Sequence, residues 1–514
     1  MGALLAILLA AWCWLGIMRD PGLWHSRSDY AYLSLAHAVS AEDRARGGPA
    51  GLNYGLGGHP GVPFFLASWL SLRLAAPWYG DDLSRAVLSD PAPFWQAGKL
   101  LALGLTALGL WLLARFARPL GMTALLSGLA VLVAAHHEFL RSALTWLTNE
   151  SFALPVAAAS ALVWRELAHD ARRTGWALLA GALGAVAYLI KLHYLALTLA
   201  GLMCVVLAAL LQRVGWRRLL LSTSAFVAGG GITIVAAAHF ILGWKSFRNL
   251  LEFHASIFLH AGIYGSGESA VFASSQLTRL AGHLEQIGFV LPTVLLVAFS
   301  GLVLVGWQRR SDRAWWQREA ALGIVLAAST ALATAAVVKH YQAHYVVVPH
   351  VLAAVLVCWL AGQFSARASR LVTAGLLLAG VTITAPAFVH LAATTQRDAD
   401  DLAAGSAAIR ALPLADGEQR LWVRTSSAEY VRGWAVRMSG VRALVDWMLA
   451  APGPDRSASL PGDGPWRYAI VEGGPARAAE VLAAGVVQAP GTVRVPLGEQ
   501  PRVFDFGLLQ AIEP

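Results

Sequence analysis

Residues 176–211 read WALLAGALGAVAYLIKLHYLALTLAGLMCVVLAALL, two long apolar runs separated by one short polar turn. A bilayer core about 30 Å thick is crossed by about 20 apolar residues, because a helix rises about 1.5 Å per residue. The two runs approach this length, and the turn Lys191-Leu192-His193-Tyr194 would lie at the membrane surface between them. This stretch therefore predicts a membrane protein built from helical spans.

The composition of the whole chain supports the same class. Of 514 residues, 57% are hydrophobic and only 13% are charged, whereas soluble proteins carry about 25% charged residues. This excludes a disordered chain and an ordinary cytosolic enzyme. The net charge of +9 does not indicate a nucleic-acid partner, because in a membrane protein the distribution of charge matters more than its sum. Cys13, Cys204 and Cys358 lie in apolar runs without a Cys-x-x-Cys pair, so they predict neither disulfides nor a zinc site.

The pattern predicts about eleven transmembrane helices, the first of them a membrane anchor. Their ranges are 2–18, 98–114, 122–136, 151–168, 176–190, 194–211, 219–242, 288–306, 320–337, 345–362 and 371–393.

The arginines predict the orientation of these spans. Alternate connections carry thirteen arginines against three acidic residues, and the arginines are Arg115, Arg118, Arg172, Arg173, Arg213, Arg217, Arg218, Arg309, Arg310, Arg313, Arg318, Arg367 and Arg370. By the positive-inside rule these connections are cytoplasmic. The amino terminus is then cytoplasmic too, and the carboxyl terminus lies outside. The long connections 19–97 and 243–287 also face outward.

The last part of the chain has a different composition. Beyond about residue 400 the apolar runs shorten to strand length, at Arg420–Thr425, Trp466–Glu472, Thr492–Pro496 and Arg502–Phe506. A helix is predicted over Arg477–Ala484, after a proline and before a glycine. The sequence thus predicts two domains: a transmembrane domain over 1–393 with the long first outer loop 19–97, and a small extracytoplasmic α/β domain over 394–514.

The first outer loop contains a carboxylate in an aromatic setting. Asp29 precedes Tyr30 and a partly apolar helical stretch, and His59-Pro60 follows later in the loop. Partial desolvation raises the basicity of a carboxylate and suits it to act as a general base. The alternative is structural, because Ser28 and Asp29 are also good helix N-caps.

The second outer connection carries a further acid and a possible metal cluster. His136-His137-Glu138 and Arg141 precede Glu150, which opens a predicted span. Glu150 complements the dipole at a helix start, or it faces Asp29 and holds a divalent cation or an acceptor hydroxyl. Asp29, Glu150 and Glu138 are the candidate metal ligands, and a divalent metal ion is the one candidate cofactor.

Basic and aromatic side chains cluster at two further outward turns. One turn contains Lys191 and His193, and the other runs from Lys339 to Tyr345. Such groups at headgroup depth can bind a phosphate, and Lys245 in the fourth outer loop adds to the same positive field. The alternative is that these residues are an ordinary interface belt, with the lysines reaching toward water.

Together these features resemble the GT-C glycosyltransferases, in particular the branch with the protein O-mannosyltransferases and the bacterial aminoarabinose transferases. The resemblance rests on the order Asp29-Tyr30-Ala31-Tyr32-Leu33, His59-Pro60, Glu150, Lys191 and His344-Tyr345-x-x-x-Pro349, and it covers about residues 1–393. This chain departs from the family with Ser28 beside Asp29 where two acids are common, with Gly61 after His59-Pro60, and with Asn149-Glu150 where aspartate is usual.

The resemblance implies a role for each of these residues. Asp29 would be the general base, and Glu150 the second catalytic acid, near the acceptor or a metal. The residues implied to bind the donor phosphate are Lys191, Lys339, His340, Tyr341, His344 and Tyr345. Those implied to shape the pocket are Tyr30, His59, Pro60, His193, Arg141 and Lys245.

The implied function is transfer of a sugar from a polyprenyl-phosphate donor to a hydroxyl of a cell-envelope acceptor, with inversion. The acceptor would be a glycan, lipid or protein, such as lipopolysaccharide or cell-wall glycan, on the periplasmic side of a bacterial inner membrane. The alternatives are a transporter, flippase or binding protein for a lipid-linked glycan, and an O-antigen ligase type of enzyme. The ligase would have its longest outer loop late among the spans, whereas here the longest is the first.

Overall fold

The long apolar runs form helices. The computed structural model describes residues 34, 38, 41, 42, 61–80, 83, 86, 87, 92–134, 147–258, 290–339, 343–365, 367–376, 378, 382, 397, 401, 404, 405, 407–409, 411–413, 415, 419–423, 466–472, 474–483, 486–488, 494–496, 501–506 and 509–513. The helices of the apolar part are α1 Val62–Ala75, α2 Ala92–Ala117, α3 Met122–Ala134, α4 Ala153–His169, α5 Thr174–Ile190, α6 Leu195–Leu211, α7 Trp216–Ala236, α8 Trp244–Phe258, α9 Val290–Gln308, α10 Arg313–Lys339 and α11 Val347–Gln363.

These helices make the chain a polytopic membrane protein. Within the described residues, five helical segments are long and apolar enough to cross a bilayer: Pro93–Ala117, Leu192–Leu211, Trp216–Leu242, Leu291–Gln308 and Arg313–Val337. Met122–Leu132, Thr174–Ile190 and Val347–Gln363 are shorter and apolar. The predicted spans from 98–114 to 345–362 each coincide with a helix. The predicted span 2–18 lies outside the described residues. So does much of the predicted span 371–393, in which the described residues 371–376, 378 and 382 are helical. The total of eleven stays a prediction.

The helix ends differ from the predicted boundaries for a physical reason. Helix α10 begins at Arg313 rather than at residue 320, and α2 begins at Ala92 rather than at 98. Hydropathy defines only the apolar part of a helix, whereas hydrogen bonds along the backbone continue into polar turns that water or headgroups solvate. Helix α10 therefore includes the more polar residues 313–319, which precede the predicted span.

Helix α11 lies at the centre of the helical bundle. All of its residues from Val347 to Ala361 are buried, as expected for a helix that is apolar on every face. It packs against α3, α4, α9 and α10. Trp359 of α11 lies against Gly323, where a Cβ atom would come within 2.3 Å of the indole ring, and its Nε1 donates to Glu319 Oε2 over 2.9 Å. This contact joins α10 to α11.

Helices α5 and α7 approach each other through glycines. A Cβ atom at Gly181 would lie 1.9 Å from the carbonyl oxygen of Phe226, and one at Gly229 would lie 1.9 Å from that of Leu178. Small residues allow this close packing of backbones, which replaces the hydrophobic effect as the main attraction between helices in lipid. The close packing of α5 against α7 therefore holds α5, and the turn that follows it, in a defined position.

The segment 19–97, which is predicted to be the first outer loop, contains an ion pair with a buried carboxylate. Glu42 is fully buried, and its Oε2 accepts hydrogen bonds from Trp69 Nε1 over 3.1 Å and Arg73 Nε over 2.9 Å. Both donors belong to α1. A buried carboxylate needs such charged and polar partners, so Glu42 fixes α1 to the preceding segment.

The carboxyl-terminal region contains a small mixed sheet. Its elements are β1 Gln419–Val423, β2 Trp466–Glu472, α12 Gly474–Ala483, β3 Val486–Gln488, β4 Arg494–Pro496, β5 Arg502–Phe506 and β6 Leu509–Glu513. The strand order is β1-β2-β6-β5, with β1 parallel to β2 and the other pairs antiparallel, while β3 and β4 form a separate antiparallel pair. Tyr468, Ile470, Ala511 and Ile409 form its apolar core. The predicted strands and helix are present, β3 and β6 were not predicted, and the domain boundary at 394 stays a prediction.

Candidate functional site

Short 3-10 turns precede three of the central helices. Asn149–Phe152 leads into α4, Leu192–Tyr194 into α6, and Ala343–Val346 into α11. The second of these turns also follows directly on α5, and Lys191 between them has an extended backbone. Side-chain contacts between the three turns, described next, show that they meet at one end of the bundle.

Glu150 and Lys191 form a buried ion pair at this meeting point. Lys191 Nζ donates to Glu150 Oε1 over 3.0 Å, and the two side chains are 6% and 0% exposed, respectively. Removing either partner would leave one charge buried without its counter-ion, which is strongly unfavourable. The sequence resemblance implied different roles for these residues: Glu150 would lie near the acceptor or a metal ion, and Lys191 would bind the donor phosphate. In the structure the two side chains are in direct contact.

Tyr345 and His193 complete the cluster. Lys191 Nζ lies 4.0 Å from the centroid of the Tyr345 ring, a distance at which the ring quadrupole attracts a cation. The His193 ring stacks on the same tyrosine, with centroids 4.9 Å apart and planes 29° apart. Lys191 and Tyr345, which were both predicted to bind the donor phosphate, are therefore adjacent, and His193 packs against the tyrosine. The roles of these residues stay predictions.

The turn that carries Glu150 is held by hydrogen bonds. The Thr148 amide donates to Ser151 Oγ over 3.1 Å within a capping box. The Tyr194 hydroxyl donates to the Asn149 carbonyl oxygen over 3.0 Å, which ties the Glu150 turn to the turn after Lys191. No role was predicted from the sequence for Asn149 or Tyr194. Asn149-Glu150 does, however, stand where an aspartate is usual in the family that the chain resembles.

Gly61 packs against the same turn. Its φ is +135°, and a Cβ atom at this position would lie 2.6 Å from Asn149 Oδ1. Only glycine adopts this backbone conformation without strain, and only glycine leaves room for Asn149. The two departures from the family pattern, at residues 61 and 149, are thus in contact with each other.

Replacing Gly61 with alanine is expected to lower the free energy of unfolding by about 2–4 kcal/mol, because it adds backbone strain and a steric clash with Asn149. The matched control is Gly121→Ala, where φ is +96° and nothing lies within 4 Å of the new Cβ atom. We expect the control to lose about 1–2 kcal/mol from strain alone. Denaturant titration in detergent micelles measures the free energy of unfolding of both variants. Equal losses in the two variants would show that the contact with Asn149 does not affect stability.

Helix α8 contacts the last turn of α5, just before Lys191. His254 Nδ1 lies 2.9 Å from the Tyr188 hydroxyl, and the two rings meet edge to face with centroids 4.9 Å apart. Burial lowers the pKa of His254 to about 4, so this imidazole is neutral at neutral pH. Tyr188 is thereby fixed by a neutral partner, and α8 is anchored beside the cluster.

The cluster lies at the opposite end of the helices from the arginines. Helix α4 starts at the Glu150 turn and ends before Arg172 and Arg173, and α6 starts at the Lys191 turn and ends before Arg213. If the arginine-rich turns are cytoplasmic, as the positive-inside rule predicts, the cluster faces outward.

The other predicted site residues fall into two groups. Lys339 ends α10, His344 lies in the turn before α11, and Lys245 lies in the first turn of α8; their backbone positions are described, and their side chains are not. Those outside the described residues are Asp29, Tyr30, His59, Pro60, Glu138, Arg141, His340 and Tyr341. Their roles stay predictions.

The described part of the chain contains no group of three or more His, Cys, Asp and Glu side chains able to hold a metal ion. Glu150 belongs to this part, and its Oε1 accepts from Lys191. Asp29 and Glu138, the other candidate ligands, lie outside it, so the divalent metal ion stays a prediction.

The bundle and its buried ionic cluster define a multi-pass membrane protein with a polar site at one end of the helices. Its fold is similar to that of a solved bacterial protein structure. The crystal structure of ArnT from Cupriavidus metallidurans bound to undecaprenyl phosphate matches 99% of this chain and 97% of that chain, with a TM-score of 0.52 and 15% sequence identity. This confirms the ArnT-like fold that the sequence resemblance predicted.

The apo structure of the same ArnT matches 99% of this chain and 96% of that chain, with a TM-score of 0.49 and 16% identity. At the level of sequence, no family model matches the chain, and no curated protein matches it.

Proposed function

We propose that this chain is an integral-membrane glycosyltransferase of the bacterial inner membrane. It transfers a sugar from a polyprenyl-phosphate donor to a hydroxyl group of a cell-envelope acceptor on the periplasmic side. The observation that carries the proposal is the buried cluster of Lys191, Glu150 and Tyr345 within an ArnT-like fold. The ArnT of that fold is bound to undecaprenyl phosphate, which supports a lipid phosphate as the ligand of the cluster.

The proposed reaction is a single displacement. Asp29 accepts the proton of the acceptor hydroxyl, whose oxygen bonds to the anomeric carbon of the sugar. The bond from that carbon to the phosphate oxygen breaks, its electron pair stays with the phosphate, and polyprenyl phosphate leaves. One displacement inverts the anomeric centre. Lys191 stabilises the charge that develops on the leaving phosphate, because a fixed cation in a site of low polarity acts strongly on such charge.

The remaining residues follow from this assignment. Tyr345 and His193 line the phosphate side with Lys191, and Lys339, His340, Tyr341 and His344 would extend it along the turn before α11. Glu150 is adjacent to Lys191 and therefore belongs to the phosphate side of the site in this proposal. The isoprenoid tail would lie between the apolar helices.

The experiment that tests the proposal starts from the purified protein and its lipids. Mass spectrometry of co-purified lipid is expected to detect a polyprenyl phosphate or its sugar conjugate. The conjugate, added back with a candidate acceptor, is expected to yield glycosylated acceptor and free polyprenyl phosphate. A protein that binds the conjugate but never releases polyprenyl phosphate would instead be a transporter, a flippase or a binding protein.

A further inference from the structure

The Lys191 ammonium already has an anionic partner in the structure. Glu150 Oε1 lies 3.0 Å from Nζ, the Glu150 side chain is fully buried, and the Tyr345 ring covers the ammonium at 4.0 Å. A phosphate that binds to Lys191 would therefore be a second anion at the same cation. The carboxylate offsets part of the attraction between the ammonium and a phosphate.

Glu150 is held in place by the turn around it. The capping box of Thr148 and Ser151 fixes the turn, and the Tyr194 hydroxyl binds the carbonyl oxygen of the preceding residue. The carboxylate is thus a fixed negative charge beside any phosphate on Lys191. At a separation of about 5 Å, the repulsion between two such charges is substantial even at an effective dielectric constant of about 20.

This repulsion acts unequally on substrate and product. In a sugar donor the phosphate is a diester and carries one negative charge. The released polyprenyl phosphate is a monoester, whose second proton is lost with a pKa of about 6, so it carries nearly two charges at neutral pH. A fixed carboxylate at the site disfavours the product more than the donor.

We propose that Glu150 is a competing anion at the phosphate site and that it promotes release of the polyprenyl phosphate product. The inference rests on the proposed function, in which Lys191 binds the phosphate. It assigns to Glu150 a task other than holding a metal ion or the acceptor. The inference is based on the ion pair and on the turn that holds Glu150.

The test is equilibrium binding of undecaprenyl phosphate in detergent micelles at pH 7.5 to wild type, Glu150→Gln, Glu150→Asp and Lys191→Met. We expect Glu150→Gln to bind about ten-fold more tightly or better, because the amide keeps a hydrogen-bond acceptor for Lys191 but has no charge. Glu150→Asp keeps the charge and is expected to stay within about three-fold of wild type. A gain of affinity is informative because a damaged fold does not produce it.

A diester probe separates charge from shape. With undecaprenyl methyl phosphate, which has one charge, the gain of Glu150→Gln is expected to be several-fold smaller than with undecaprenyl phosphate. Equal or weaker binding of undecaprenyl phosphate by a folded Glu150→Gln variant would overturn the inference.

Wild type provides a test that needs no Glu150 variant. Raising the pH from 5.5 to 8 adds the second charge to undecaprenyl phosphate. Deprotonation of histidines at the site acts on both ligands, so the expected result is a fall in the affinity for undecaprenyl phosphate relative to the affinity for the methyl diester. A rise in this ratio of affinities at pH 8 would overturn the inference. Loss of binding in Lys191→Met without a gain in Glu150→Gln overturns this inference alone, whereas the absence of binding by wild type overturns the proposed function as well.

Discussion

Lys191→Met is expected to reduce sugar transfer by about 10³-fold or more and to lower the free energy of unfolding by about 3–5 kcal/mol. The loss of activity follows from removing the fixed cation that stabilises the leaving phosphate. The loss of stability follows because Glu150, which is fully buried, loses Lys191 as its counter-ion. A transfer assay and denaturant titration in micelles measure the two effects.

A double variant separates the two effects. Lys191→Met combined with Glu150→Leu removes both charges, and apolar replacement of a whole buried ion pair is often neutral or stabilising. We expect the double variant to recover most of the lost stability and none of the transfer activity. Recovery of transfer with stability would show that the pair has only a structural role.

The matched control is an exposed ion pair at the other end of the helices. Arg173 Nε lies 3.1 Å from Asp170 Oδ2, and the side chains are 61% and 42% exposed. Because water and salt screen such pairs, Arg173→Met is expected to change the free energy of unfolding by less than about 0.5 kcal/mol. Its transfer rate is expected to equal that of wild type.

Asp29→Asn is expected to lower the transfer rate by about 10²–10⁴-fold, the usual contribution of a general base. Asparagine has nearly the same shape as aspartate and is an equally good helix N-cap residue, so the free energy of unfolding is expected to change little. Binding of undecaprenyl phosphate is also expected to stay unchanged, because the proposed phosphate ligands are intact. The measurements are a transfer assay, a denaturant titration and a binding titration on the same preparation.

A folded Asp29→Asn variant that transfers sugar at the wild-type rate would exclude Asp29 as the base. Asp170→Asn serves as the control, because it removes one carboxylate at the arginine end of α4 and is expected to leave transfer unchanged. The two variants Lys191→Met and Asp29→Asn are distinguished by binding, since only the first is expected to lose affinity for the lipid phosphate.

The membrane class and most of the helices could be predicted from the sequence because they depend on local properties. The apolar runs from 98–114 to 345–362 have the length and composition of spans, and each coincides with a helix in the structure. The strand-like runs at 466–472 and 502–506 likewise coincide with β2 and β5. The strands β3 and β6 were missed, since β3 has three residues and neither lay within a predicted apolar run.

The candidate site could be predicted only as a set of separate residues. Polar groups at the ends of apolar runs marked Glu150, Lys191 and Tyr345, and the departures from the family pattern marked Gly61 and Asn149. No local signal indicated that Glu150 is the counter-ion of Lys191, because the two residues are 41 positions apart and belong to different turns.

By itself, the sequence determined that this chain enters a membrane, where its spans lie and on which side its arginine-rich turns are expected, since these properties follow from length, hydropathy and charge. The tertiary structure alone decided that Lys191 is paired with Glu150, that Tyr345 covers the Lys191 ammonium and that Gly61 leaves room for the Asn149 side chain. Such pairings depend on how α4, α5, α6 and α11 pack, and helix packing in lipid is determined by close contacts between side chains and backbones that no single stretch of sequence contains.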